Sequence, residues 1–211
     1  MKTKGFVLLL ITFLSIMSSA LAQTALSKAE IIKFKKSVQL KAEKTKSIKS
    51  DFIQTKQISV LNNSVVSSGK LVFKSPNLVK WEYEKPEINI AIFKNNELLV
   101  SDGSKSKRIN LDSNKWFRQL NELIVGSVKG NMFDEKMFEI SYFKNENGYK
   151  VIFKPIEKRL KKFMSQFELT FPHQGFEVKS VKLVEPNNDF TLIEFKNRVD
   201  NSAVSDKAFS L

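Results

Sequence analysis

The sequence predicts an α+β domain whose main body is one long antiparallel sheet. Three observations carry that expectation. A capping signal opens a stretch of helical apolar spacing near the start. Beyond it, segments rich in β-branched and aromatic residues alternate with period two and are separated by turn residues. Between them lies a single return to helical spacing. The count is about eleven strands and two short helices, a sheet long enough to curl strongly on itself.

The chain has 211 residues, and its first 22 read as an export signal. Lys2 and Lys4 precede an apolar run from Phe6 to Met17, and Ala20-Leu21-Ala22 forms the A-x-A pattern of a cleavage site. The run is too short for a bilayer span of about 20 residues. Residues 23–211 are therefore expected to form a soluble single domain, exported and starting at Gln23. There is no cysteine, so the fold stands without disulfides. A bacterial lipoprotein carries its lipid on a cysteine directly after the cleavage site; here that position is Gln23, and no lipid anchor is expected. The formal charge is +13. An exported chain of that charge meets anionic lipid headgroups or acidic proteins, where a cytosolic one meets nucleic acid.

Ser27 and Glu30 have capping-box spacing, and Ile31, Phe34, Val38 and Ala42 recur at helical intervals, which predicts an amphipathic helix ending near Ser47. Its lysines fit a solvated face. Strands are expected near Lys49–Ser59, Val66–Lys74, Leu78–Glu84, Glu87–Lys94, Glu97–Ser101 and Lys107–Leu111. The third is the clearest: Val79, Trp81 and Tyr83 point one way and Lys80, Glu82 and Glu84 the other. Phe117, Leu120, Leu123, Ile124 and Val128 space as a second helix between Ser113 and Val128. Strands resume near Met137–Lys144, Tyr149–Lys154, Lys162–Phe171, Glu177–Glu185 and Phe190–Asn197, with the hairpin signal Asn147-Gly148 between the first two.

The inventory leaves little for catalysis. With no cysteine and a single histidine, His173 in the turn-like Pro172-His173-Gln174-Gly175, thiol chemistry and His-rich or Cys-rich metal sites are excluded. No G-x-S-x-G elbow presents a serine. Ser68-Gly69-Lys70 lacks the upstream glycine and the following hydroxyl of a phosphate-binding loop. Glu82 and Glu84 share a strand face that points to water, and no other carboxylates stand out as a catalytic pair. The chain is not expected to be an enzyme or to need a metal or cofactor. Nucleic acid is not an expected partner either, because alternation puts the aromatics and the lysines of Lys70–Lys74 on opposite faces.

What remains is apolar aromatic surface, with 18 Phe, 2 Trp and 3 Tyr. Such stripes most often fill an ordinary core. A large concave sheet with two short helices to cover it can instead leave an apolar cavity, and periodicity does not separate the two.

The stretch Ser68-Gly69-Lys70-Leu71-Val72-Phe73-Lys74-Ser75-Pro76-Asn77-Leu78-Val79-Lys80-Trp81-Glu82-Tyr83-Glu84-Lys85-Pro86 resembles the signature of the outer-membrane lipoprotein carrier family, LolA: Gly-x-Leu, a basic residue near a proline, a Lys-Trp pair and a second proline. Phe52-Ile53-Gln54, the Asp102-Gly103 turn, and Asp189 to Phe195 followed by Asn197 support it, in order along nearly all of the mature chain. The resemblance implies an unclosed, strongly curved β-barrel with helices as a lid over a hydrophobic cavity. It implies a periplasmic monomer that takes acyl chains of lipoproteins released by an inner-membrane ABC transporter and passes them to an outer-membrane receptor. By analogy, Phe52, Leu71, Phe73, Val79, Trp81 and Tyr83 line the cavity from the sheet, and Phe34, Val38, Leu120, Leu123 and Ile124 form the lid. Leu71 shares a face with the others only if no bulge intervenes. The chain departs from the family pattern at Ser75, where an arginine that latches the lid is usual; neighbouring Lys74 is the candidate replacement. A carrier or sensor of another lipid, a glycolipid or pigment intermediate, is the alternative that this resemblance leaves open.

Overall fold

The structure is a computed structural model that describes residues 23–61, 63–94, 96–111, 126 and 132–211. The expected signal segment, and the expected second helix with Leu120, Leu123 and Ile124, lie outside the described residues.

A two-residue strand, β1 (Thr24–Ala25), leads into helix α1 (Lys28–Lys44). The capping box forms as its spacing predicts: the Ser27 hydroxyl accepts from the Glu30 backbone N–H, and Glu30 Oε2 accepts from the Ser27 N–H at 2.9 Å. The helix ends three residues before Ser47. Thr45 turns to extended backbone, its hydroxyl donates to the Lys41 carbonyl at 2.8 Å, and Ser47 already belongs to the first long strand.

Two meanders follow. The first contains β2 (Ser47–Ile58), β3 (Asn63–Lys74), β4 (Leu78–Lys85), β5 (Asn89–Lys94), β6 (Glu97–Ser101) and β7 (Ser106–Asn110). The second contains β8 (Phe138–Asn145), β9 (Gly148–Pro155), β10 (Gln166–Phe171), β11 (Ser180–Val184) and β12 (Phe190–Asp200). All pairings are antiparallel, and β12 pairs with β2 to join the meanders into one sheet in the order β1-β8-β9-β10-β11-β12-β2-β3-β4-β5-β6-β7. The eleven expected strands are thus present, and β1 makes twelve among the described residues. The sheet is unclosed, with β1 and β7 at its edges. The largest departures from the expected starts are at β10 and β11. A 3₁₀ turn at Leu160–Lys162 precedes β10, and a turn with Gly175 and Phe176 at positive φ precedes β11.

Motif residues quoted above have local structural work. Asp189 accepts from the Ser59 N–H at 2.7 Å and the Ser59 hydroxyl at 2.6 Å, tying the β11–β12 turn to the end of β2. These bonds hold its carboxyl below the usual carboxylate range. Asp102 Oδ1 accepts from the Ser104 N–H and hydroxyl and from the Lys105 N–H, closing the β6–β7 turn with Gly103 at φ +87°. At Gly69 a Cβ would run into the Glu82 carbonyl, so only glycine lets β3 and β4 approach there.

Two apolar clusters form, one on each side of the β12–β2 junction. Phe34 and Val38 of α1 pack with Tyr142, Val151, Phe153, Leu169 and Phe171 of the second meander. Ile48, Leu71, Phe73, Val79, Phe93, Leu98 and Leu111 form the other within the first. Phe195 packs against both.

Candidate functional site

Between the two clusters lies an apolar cavity of about 410 Å³. Phe167 of β10 and Leu98 of β6 both line it. They are seven strand spacings apart in the sheet order, roughly 34 Å on a flat sheet, so a shared cavity requires the sheet to curl around it.

The strand register fixes which residues face inward. Leu71 is opposite Trp81 and Phe73 opposite Val79; the bulge between β3 and β4 falls at Ser68/Gly69, before these pairs. Leu71, Phe73, Val79, Trp81 and Tyr83 therefore share one face, and all five line the cavity, with Val38 of α1 beside them. Phe52 stands behind that wall, fully buried, with its ring edge-on to Trp81 at 5.1 Å and to Tyr83 at 5.0 Å. Phe34 points into the cluster under α1, among the rings of Phe133, Tyr142, Tyr149, Phe171 and Phe176.

The second meander supplies a wall that the sequence reading did not assign. Phe167, Val181, Leu183, Ile193 and Phe195 line the cavity. Alternation within each strand marks these residues as one face, but only the β12–β2 pairing turns that face toward β4. Their inclusion depends on curvature, for which no local residue pattern exists.

The polar groups of the wall are few. Tyr83 donates to Gln54 Oε1 at 3.0 Å, and burial pushes its hydroxyl pKa up. The buried Trp81 Nε1 has no partner among the described residues. At one end Lys41, Thr45 and Arg198 approach the apolar surface. Burial works against ionisation of Asp200 beside them, yet its hydrogen bonds from Lys41 and Arg198 prevail and hold its pKa below the usual value. Lys74, the candidate latch beside Ser75, is paired at 2.6 Å with Asp206 in the 3₁₀ turn Asp206–Phe209. His173 is exposed, with Nε2 3.1 Å from the Glu146 carbonyl oxygen. Among the described residues no helix is long and apolar enough to cross a membrane.

Comparison with known proteins places this geometry. The sequence model of the family described as "Outer membrane lipoprotein carrier protein LolA" matches residues 43–211. No individual curated protein matches the chain. Among solved structures, MucB is similar with a TM-score of 0.52 at 10% identity, over 88% of this chain and 64% of that one. A chain of the Pseudomonas aeruginosa MucA/MucB complex gives 0.50 at 8% identity, over 86% and 61%. A LolA superfamily protein from Nitrosomonas europaea gives 0.43 at 9% identity, over 83% and 97%. At these identities the likeness to the first two is one of fold.

Proposed function

Because the chain belongs to the outer-membrane lipoprotein carrier family, we propose that it is a periplasmic carrier that shields the acyl chains of lipoproteins in the cavity and moves them from the inner to the outer membrane. The observation that supports this reading is an apolar cavity of about 410 Å³ inside a curled sheet, within the size range of lipid and small-molecule sites. Each CH₂ moved out of water gains about 0.8 kcal/mol, so acyl chains cross an aqueous compartment only when covered. Non-directional apolar contacts bind chains of varied length without gripping one of them, which suits a protein that must also release its cargo. The proposed partners are those that such a route requires, an inner-membrane ABC transporter that loads it and an outer-membrane receptor that unloads it. The role is binding and transfer, with no chemical step.

The test has two readouts. Protein isolated from periplasm should co-purify with lipoprotein, and mass spectrometry should find acylated cargo. Depletion in cells should strand lipoproteins in the inner membrane. Correct sorting after depletion, with a glycolipid or pigment bound to the isolated protein, would replace the lipoprotein reading by that of a carrier or sensor of another lipid.

A further inference from the structure

Strand β12 places Thr191, Ile193 and Phe195 on the cavity and then changes parity: the next residue on the cavity wall is Arg198. A register shift between Lys196 and Val199 in the pairing with β2 makes the change, with Asn197 at φ +49°. Two contacts from β2 hold the distorted backbone. Asn197 Nδ2 donates to Asp51 Oδ2 at 2.8 Å, and the Ser50 hydroxyl donates to the Lys196 carbonyl at 2.8 Å. A bulge gives up ladder hydrogen bonds and re-aims a side chain. The side chain re-aimed here is a guanidinium, delivered to the end of a mainly apolar space.

Its orientation is fixed. Arg198 Nε donates to Asp200 Oδ1 at 2.8 Å, and Lys41 Nζ pairs with Asp200 Oδ2 at 2.7 Å. Arg198 and Asp200 are only 20% and 19% exposed. One carboxylate between two cations leaves the group net positive. An arginine has five N–H donors, and the Nη donors of Arg198 have no partner among the described residues. The carboxylate on the wall itself, that of Glu177, lies beside Gly175.

We propose that Arg198, oriented by Asp200 and backed by Lys41, binds the acceptor oxygens at the root of the cargo's acyl chains, where hydrocarbon meets its ester, amide or phosphate group. The inference rests on the cavity reading above and defines its polar end. Apolar walls supply affinity but no direction along the chain. A planar donor fork at one end supplies direction, root at Arg198 and tail inward.

The purified full chain tests this with diphenylhexatriene, a fluorescent hydrocarbon with no oxygen, bound in the cavity and displaced by three chain-matched lipids: dihexadecyl glycerol ether, dipalmitoyl glycerol and dipalmitoyl phosphatidic acid. The unaltered protein should take the ester or the phosphate on the order of tenfold more tightly than the ether. Arg198→Met should remove that preference, each lipid's affinity being read relative to the variant's own affinity for diphenylhexatriene. Arg198→Lys keeps the pairing charge and loses the fork, so it decides the matter if the Met variant does not fold; it should lose the ester advantage at least about threefold. A preference confined to phosphate assigns the site to a phospholipid-like root, and one shared by the ester assigns it to the acyl root that lipoproteins carry. Preferences unchanged in the folded variants would overturn the inference and leave the cavity reading standing. Failure of the unaltered protein to bind diphenylhexatriene or any lipid would overturn both.

Discussion

The half-sheet under α1 and the half-sheet beyond β12 carry the same alternation of apolar and polar residues, yet the first is filled over β8 and β9 and opens only along β10–β12, while the second borders open space along β3–β6. Phe34 accounts for much of the difference. It is 2% exposed and lies within 4.9–6.3 Å of five aromatic rings, which fill the volume between helix and strands. In the other half, Leu71, Phe73, Val79 and Trp81 face across to β10–β12, and among the described residues no helix side chain reaches in as Phe34 does. The lesson is that an apolar strand face becomes core or cavity according to what is laid over it. The face itself does not decide.

The largest test of this contrast is a pair of truncations. Phe34→Ala should cost about 3–5 kcal/mol, as expected for an aromatic removed from a filled interior. Trp81→Ala should cost clearly less, because the indole already borders empty volume, while weakening acyl-chain binding more. Urea unfolding measures the first quantity and diphenylhexatriene titration the second. Equal stability losses would mean that the two halves are packed alike.

A pair of enlargements sharpens the same point with smaller effects. Leu169 is fully buried in the filled half, and Leu169→Trp should destabilise by about 1–3 kcal/mol or more through overpacking. Leu98 lines the cavity, so Leu98→Trp has room to grow inward. It should change stability by less than about 1 kcal/mol and reduce diphenylhexatriene binding several-fold. Gly69→Ala, at the close approach of β3 and β4, should cost on the order of 1–3 kcal/mol as backbone shifts to relieve its contact with Glu82.

How much of this was legible follows from where each signal is stored. Helix α1 and the eleven long strands are written locally, in capping residues, periodicity and turns, and the structure departs mainly at ends such as Lys44 and Gln166. The inward face of β3 and β4 was legible because Val79, Trp81 and Tyr83 alternate strictly and the bulge at Ser68/Gly69 falls outside them. Phe52 has the same parity, yet its ring is overlaid by Trp81 and Tyr83, a matter of side-chain direction that spacing does not encode. The walls from β10 to β12 require knowing that β12 pairs with β2. Arg198 was the least legible: in strict alternation it belongs with Glu194 and Lys196 on the outer face, and only the bulge at Asn197 turns it inward. The presence of a cavity, as opposed to a filled core, is likewise a property of the curled sheet.

The smallest expected effect concerns how the filled half keeps its cover. Glu30 closes the N-terminal capping box of α1 and pairs with Lys144 of β8 at 2.5 Å, which joins the helix to the sheet it covers. The hydrogen bond from Lys144, aided by those from Ser27, pulls the Glu30 pKa from 4.5 to about 2. A carboxyl whose folded pKa is depressed stabilises fully above its unfolded value and loses that contribution as pH falls through its folded one. The contribution of Glu30 should therefore be complete above about pH 4.5 and fade toward pH 2. Glu30→Gln should lower Tm modestly at neutral pH, with the difference from the unaltered protein closing across that window. Diphenylhexatriene binding at neutral pH should stay unchanged, because Glu30 lies at the far end of α1 from Lys41 and Ala42, which border the cavity. A Tm difference that stays constant from pH 6 to about pH 2 would show that the link between Glu30 and Lys144 does not hold the cover in place, and that aromatic packing around Phe34 holds it alone.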